Sequence, residues 1–169
     1  MRQANFRKLG SEKKPAVKFQ LRESRKSDPV RKALLLERAN NKHEETVRIL
    51  SAYVTKLKLE PYEDPNSFDL AIFEISKSIF EIKTVNRANC ISQLRKAFAQ
   101  LVEYKWRCKN IFGPEEPQLF VVFDKDPSGY LPIEYFTFIS ETLGTEIIWP
   151  SGDQFVGRGG YQLDKALSL

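Results

Sequence analysis

An α/β fold, a central sheet flanked by helices, is what this sequence predicts, and three observations carry the expectation. Stretches with apolar residues every three or four positions alternate with short runs rich in Ile, Phe and Val, the marks of amphipathic helices and buried strands. The length, 169 residues, suits one domain that can bury roughly 70% of its unfolded surface without disulfides. Apolar residues make up 41% and charged residues 29%, ordinary for a globular protein. No apolar run approaches the roughly 20 residues that cross a bilayer, so no membrane partner is expected.

Residues 1–27 are basic and polar and read as a flexible tail or linker, with a weak strand-like alternation at Val17, Phe19 and Leu21. Residues 28–169 form the domain. Asp28 caps a helix with Pro29 at its first position, and Val30, Ala33, Leu34, Leu35 and Leu36 follow at partly helical spacing. Asn40 or Asn41 offers a second cap, after which Val47, Leu50, Val54 and Leu57 mark an amphipathic helix to about Lys58. Pro61, Asp64, Pro65 and Asn66 break the helical pattern and leave room for a short strand over residues 59–62. Residues 67–85 are rich in Ile, Phe and Val around a polar break at Ser76, Lys77 and Ser78, the signature of a β-hairpin.

After a loop at residues 86–89, a helical period returns over residues 91–108. Leu94, Phe98 and Leu101 lie on its core face, with Gln93, Ala97, Gln100 and Tyr104 beside them. Gly113, Pro114 and Pro117 end it. Residues 118–123 form a buried strand, residues 124–129 a turn, residues 132–143 a helix and residues 145–149 the last strand. The glycine-rich stretch at 152–160 follows no phosphate-cradling pattern and reads as a loop. Tyr62, Phe120, Phe123, Phe136, Phe138 and Trp149 are assigned to the core, as is Trp106 in preference to base stacking.

The charge is uneven. Residues 1–27 carry nine Lys or Arg against Glu12 and Glu23, a local charge of +7, whereas the remaining chain sums to −2. A nearly neutral body with a basic tail is the electrostatic outline of a protein that meets polyanions, although a solubilising extension has the same composition. Two cysteines, Cys90 and Cys108, are too few for a disulfide framework and lack metal-ligand spacing, which points to a reducing compartment such as the cytoplasm. An N-terminus without an apolar stretch gives no expectation of a secretory signal. The single histidine, His43, excludes His-rich zinc sites and disfavours histidine-based catalysis. It reads as a surface or capping residue.

The chemistry therefore falls to carboxylates and lysines. Glu81 and Lys83 are two residues apart on a strand and share one face. With the turn near Ser76 or Lys77, Asp69 lies across from residues 83–85. Asp69 is the only charged residue over 67–73, so an acid pair and a lysine converge on an apolar hairpin. Two carboxylates on adjoining strands make a hard oxygen site for Mg²⁺ or Mn²⁺, and a lysine on that face can orient a water and offset charge at a phosphate. The bland reading is that Glu81 and Lys83 decorate the solvent face of an edge strand.

These residues, followed by Gln100-Leu-Val-Glu-Tyr104, resemble the PD-(D/E)XK nuclease superfamily, whose core runs helix, three-stranded meander, helix, strand. The helix is similar to the Gln-x-x-x-Tyr motif of its RecB-type branch, found with restriction and phage-defence systems. The likeness covers residues 37–124, and Phe68 stands where the family's proline would precede Asp69. It implies a restriction-endonuclease-like core with a mixed sheet and a Mg²⁺- or Mn²⁺-dependent deoxyribonuclease. Asp69, Glu81 and the Ile82 carbonyl would hold the ion, Lys83 would position water, and Gln100 and Tyr104 would support the substrate. Glu44 becomes a candidate metal or support residue, against its plainer reading as a helix-dipole acid. Arg95 and Lys96 could touch phosphates or form a solvated face. DNA is the implied partner, with a homodimer or a larger defence or repair assembly also implied. A non-catalytic nucleic-acid-binding or assembly module on the same fold is the rival.

Overall fold

The computed structural model describes residues 7–8 and 29–167. Apart from residues 7–8, the expected tail over 1–27, with its alternation at Val17, Phe19 and Leu21, lies outside the described residues. The chain is α/β, with a seven-stranded mixed sheet in sequential order between two helical layers. A two-residue strand β1 (Arg7–Lys8) pairs with β2 (Tyr62–Glu63), and the meander continues antiparallel through β3 (Leu70–Ile72) and β4 (Ser78–Lys83). β5 (Gln118–Phe123) lies parallel to β4, and β6 (Thr145–Ser151) parallel to β5. β7 (Gln154–Gly157) returns antiparallel on β6.

The parallel pairs explain the composition. A parallel connection needs a long crossover, which α2 (Cys90–Arg107) and the short α3 (Lys109–Phe112) supply between β4 and β5. Helices then cover both faces, so β5 reads as an unbroken apolar run instead of an alternating one. Leu119, Val121 and Phe123 face the layer of α2, α3 and α4 (Ile133–Thr137). Phe120 and Val122 face α1 (Pro29–Lys56) and α5 (Leu163–Leu167). Phe80 and Phe120 stack on that second face, with ring centroids 4.7 Å apart.

Several expectations change. The first two helical segments are one helix, and Asn40 and Asn41 lie inside it because the register of Val47, Leu50 and Val54 extends backward without a break. Its early turns leave Leu34, Leu35 and Leu36 exposed. The short strand falls at Tyr62–Glu63. The helix expected over 132–143 ends at Thr137 and relaxes into a π-helical turn over Phe138–Thr142, which exposes Phe138. The glycine-rich stretch holds β7, because Gly152 at φ +60° closes a tight turn back onto β6. Trp106 is exposed on α2 and Tyr62 is half-buried, while Phe120, Phe123, Phe136 and Trp149 are core. Cys90 and Cys108 are free and buried, their thiols pushed up to about 11, chiefly by burial. Among the described residues no helix is long and apolar enough to cross a membrane.

Candidate active site

The hairpin brings the acids together more tightly than its sequence suggests. Leu70 pairs with Phe80 and Ile72 with Ser78, so the turn centres on Ile75, earlier than the polar break. One step outward, Asp69 falls beside Glu81 instead of opposite residues 83–85. The Ile82 N–H donates to Asp69 Oδ2 at 2.8 Å, locking that carboxylate onto β4. The Ile82 N–H thus ties β4 to Asp69. Strand parity puts Glu81 and Lys83 on the α2 side, where a buried Glu81 and a half-buried Lys83 form a close ion pair.

α2 completes that side. An Asx-rich loop starts it, in which Asn86 Oδ1 accepts from the N–H groups of Ala88 at 2.9 Å and Asn89 at 3.2 Å. One turn apart on its inner face, Gln100 Nε2 donates to the Tyr104 hydroxyl at 2.9 Å, and both line the cavity that holds Asp69, Glu81 and Lys83. Burial first, then the nearby Glu81 charge, push the Tyr104 hydroxyl up to about 12, so it remains a donor.

Two further titratable residues line the cavity. α1 passes the end of β4, where the Thr84 hydroxyl donates to the Ala39 carbonyl at 3.2 Å. One turn on, His43 Nε2–H donates to Asp69 Oδ2 at 3.1 Å. Asp64 opens the loop that ends at Asp69, is 2% exposed, and forms another wall of the same cavity of about 260 Å³. Its charge also helps keep the Cys108 thiol protonated. Glu44 is exposed, and it sits in mid-helix, so it is neither in the cavity nor a helix-terminal acid. Arg95 and Lys96 are exposed on α2 and do not line the cavity. Arg95 borders a separate apolar groove with Ile91, Pro132 and Tyr135.

The electrostatics separate the two acids. Burial alone would raise Asp69. The His43 hydrogen bond and charge, the Ile82 N–H and the Lys83 ammonium outweigh it and hold the carboxyl below the usual range. Glu81 goes the other way: burial and then the Asp69 charge push it up to about 7 against the opposing pull of Lys83. A paired acid with one member forced toward protonation is the environment that a cation relieves.

The two carboxylates are the donor type that a hard divalent ion takes. Asp69 and Glu81 present carboxylate oxygens, while His43 Nε2–H is engaged with Asp69 Oδ2. Among the described residues no three His, Cys, Asp or Glu side chains are gathered closely enough to enclose an ion unaided. Water must then fill several positions, as Mg²⁺ favours. No protein-family model matches the chain, and no curated protein and no solved structure shows significant similarity to it.

Proposed function

We propose that this protein is a metal-dependent nuclease with a restriction-endonuclease-like core that hydrolyses DNA phosphodiester bonds, in restriction, defence or repair. The observation that carries the reading is one polar cavity lined jointly by Asp69, Glu81, Lys83, Gln100 and Tyr104, contributed by the loop before β3, by β4 and by α2. The element order supports it as well: a helix, an antiparallel meander, a crossover helix and a parallel strand place an Asp, a Glu-x-Lys and a Gln-x-x-x-Tyr on one wall.

Asp69 and Glu81, with His43 beside them, would hold Mg²⁺ or Mn²⁺. The bound ion would polarise a phosphate oxygen and make a water more acidic. Lys83, ion-paired with Glu81, is the group that orients the attacking water and offsets charge building on the phosphate. Gln100 fixes the Tyr104 hydroxyl, which donates toward the substrate backbone. The +7 charge of residues 1–27 adds affinity for phosphates without reading sequence.

The test is cleavage of linear, circular and single-stranded DNA with Mg²⁺, Mn²⁺ or EDTA. Wild type should cut only with a divalent ion, and Lys83→Ala should lose at least a hundredfold in rate while its melting curve stays near wild type. Folded wild type that binds DNA but never cuts it would leave a binding module on this fold.

A further inference from the structure

Asp64 is the carboxylate of the cavity wall that metal binding and water activation leave unused. Its loop is closed by its own backbone: the Asp64 N–H donates to the Phe68 carbonyl at 3.3 Å and the Ser67 N–H to the Asp64 carbonyl at 3.0 Å. Oδ1 accepts the Asn66 N–H at 3.0 Å, forming an Asx turn. Oδ2 is buried and has no hydrogen-bond partner among the described residues. A turn of this kind needs one acceptor, which Asn supplies as well and Ser more weakly, so the turn does not require the charge. A buried carboxylate oxygen without a partner costs on the order of 1–3 kcal/mol or more, which marks it as a group whose partner arrives later.

The cavity's composition says what arrives. Asp64, Asp69 and Glu81 face Lys83 alone when His43 is neutral, so the lining is net negative and invites a cation or a donor that a cation carries. Asp64 belongs to no set close enough to ligate an ion directly, whereas a divalent ion on Asp69 and Glu81 keeps several waters. We propose that Asp64 Oδ2 accepts a hydrogen bond from water on that divalent ion and so ties its hydration shell to the β2–β3 loop. Asp64 is thus a positioning residue, and the proposal rests on the metal-dependent reading. Outer partners of this type typically contribute ten- to a hundredfold in metal affinity.

Calorimetric titration of Mn²⁺ into the chelator-treated full chain tests this without DNA. Asp64→Asn keeps the turn acceptor and removes the charge, and Asp64→Ser is the second variant that keeps the turn. Both should bind Mn²⁺ ten- to a hundredfold more weakly than wild type, with ion-free melting within a few degrees of it. Higher Mn²⁺ should then restore cleavage by the Asp64 variants. Affinity within twofold of wild type in a folded Asp64 variant overturns the proposal, and if Asp69→Asn still weakens binding, the nuclease reading survives. Failure of both Asp64 variants to fold assigns the charge to the loop itself and also overturns it. Wild type that takes up no Mn²⁺ at all removes both readings.

Discussion

His43 and Asp64 show what a sequence hides at the scale of single residues. Asp69, Glu81 and Lys83 are legible because strand parity operates over a few positions. His43 reaches Asp69 across 26 positions, and a lone histidine in a helix offers no spacing from which that partner follows. Asp64 reads as a breaker among prolines and Asn66, a role it also fills, so its second oxygen leaves no mark on the pattern. Glu44 fails for the complementary reason. A continuous helix turns residue 43 toward the site and residue 44 toward solvent, about 100° apart. The Glu81 carboxyl gives a pH test of the cavity without metal. Its folded value of about 7 exceeds the ordinary 4.5, so in that window the folded state binds more protons than the unfolded one. Stability from this group is therefore lost as pH rises from about 4.5 to 7, and its burial penalty, on the order of 3 kcal/mol at most, is complete above that range. Asp69, held low, loses its contribution only under acid and does not act in this window. Protein in EDTA should melt at a lower temperature at pH 8 than at pH 5.5, and Glu81→Gln should flatten that difference. An equal slope in the variant would place the titration elsewhere.

Elements are legible where the period is long and the residues apolar. The α2 period and the buried run of β5 match because crossover helices and two-sided burial leave strong marks in composition. Boundaries set by tertiary packing do not. The junction at Asn40 and Asn41 vanishes into a helix whose later turns pack on the sheet, and the hairpin's register follows its turn at Ile75 and not the polar residues after it. β7 escapes because glycines advertise a loop, yet Gly157 is there for close approach. Its N–H donates to the Tyr161 carbonyl at 2.9 Å, and a Cβ at this position would sit 2.9 Å from the Ile147 carbonyl oxygen and 3.2 Å from Tyr161 Cβ. Both obstacles are close to the chain itself, so the strand must move. Gly157→Ala should destabilise the protein by about 1–3 kcal/mol in denaturant titration, mainly by loosening β7 from β6. An unchanged midpoint would mean that this edge of the sheet gives way freely.

Charge at the scale of the whole molecule sets how a polyanion could be met. The body beyond residue 27 sums to −2, and the cavity lining is itself net negative while His43 is neutral, so a phosphate finds no attraction there until a cation is bound. Under the proposed nuclease function, the +7 of residues 1–27 is expected to supply the ion-independent share of DNA affinity. β1 fixes where part of that segment lies, because the backbone of Arg7–Lys8 pairs with Tyr62–Glu63, the strand that leads into the Asp64 loop. The two sources of affinity separate by their response to salt. Every phosphate that a variant no longer neutralises should lower the slope of log affinity against log salt by about 0.9 for duplex DNA. Replacing Lys13, Lys14, Lys18 and Arg22 by Gln in the full chain should flatten that slope in EDTA and weaken binding more at 50 than at 200 mM salt. Cleavage of saturating DNA with Mn²⁺ should persist, because none of the four belongs to the cavity. Fluorescence anisotropy on a labelled duplex reads the slope directly. A slope that the four substitutions leave intact would move phosphate binding onto the folded body, where Arg95 and Lys96, exposed on α2, are the first residues to test.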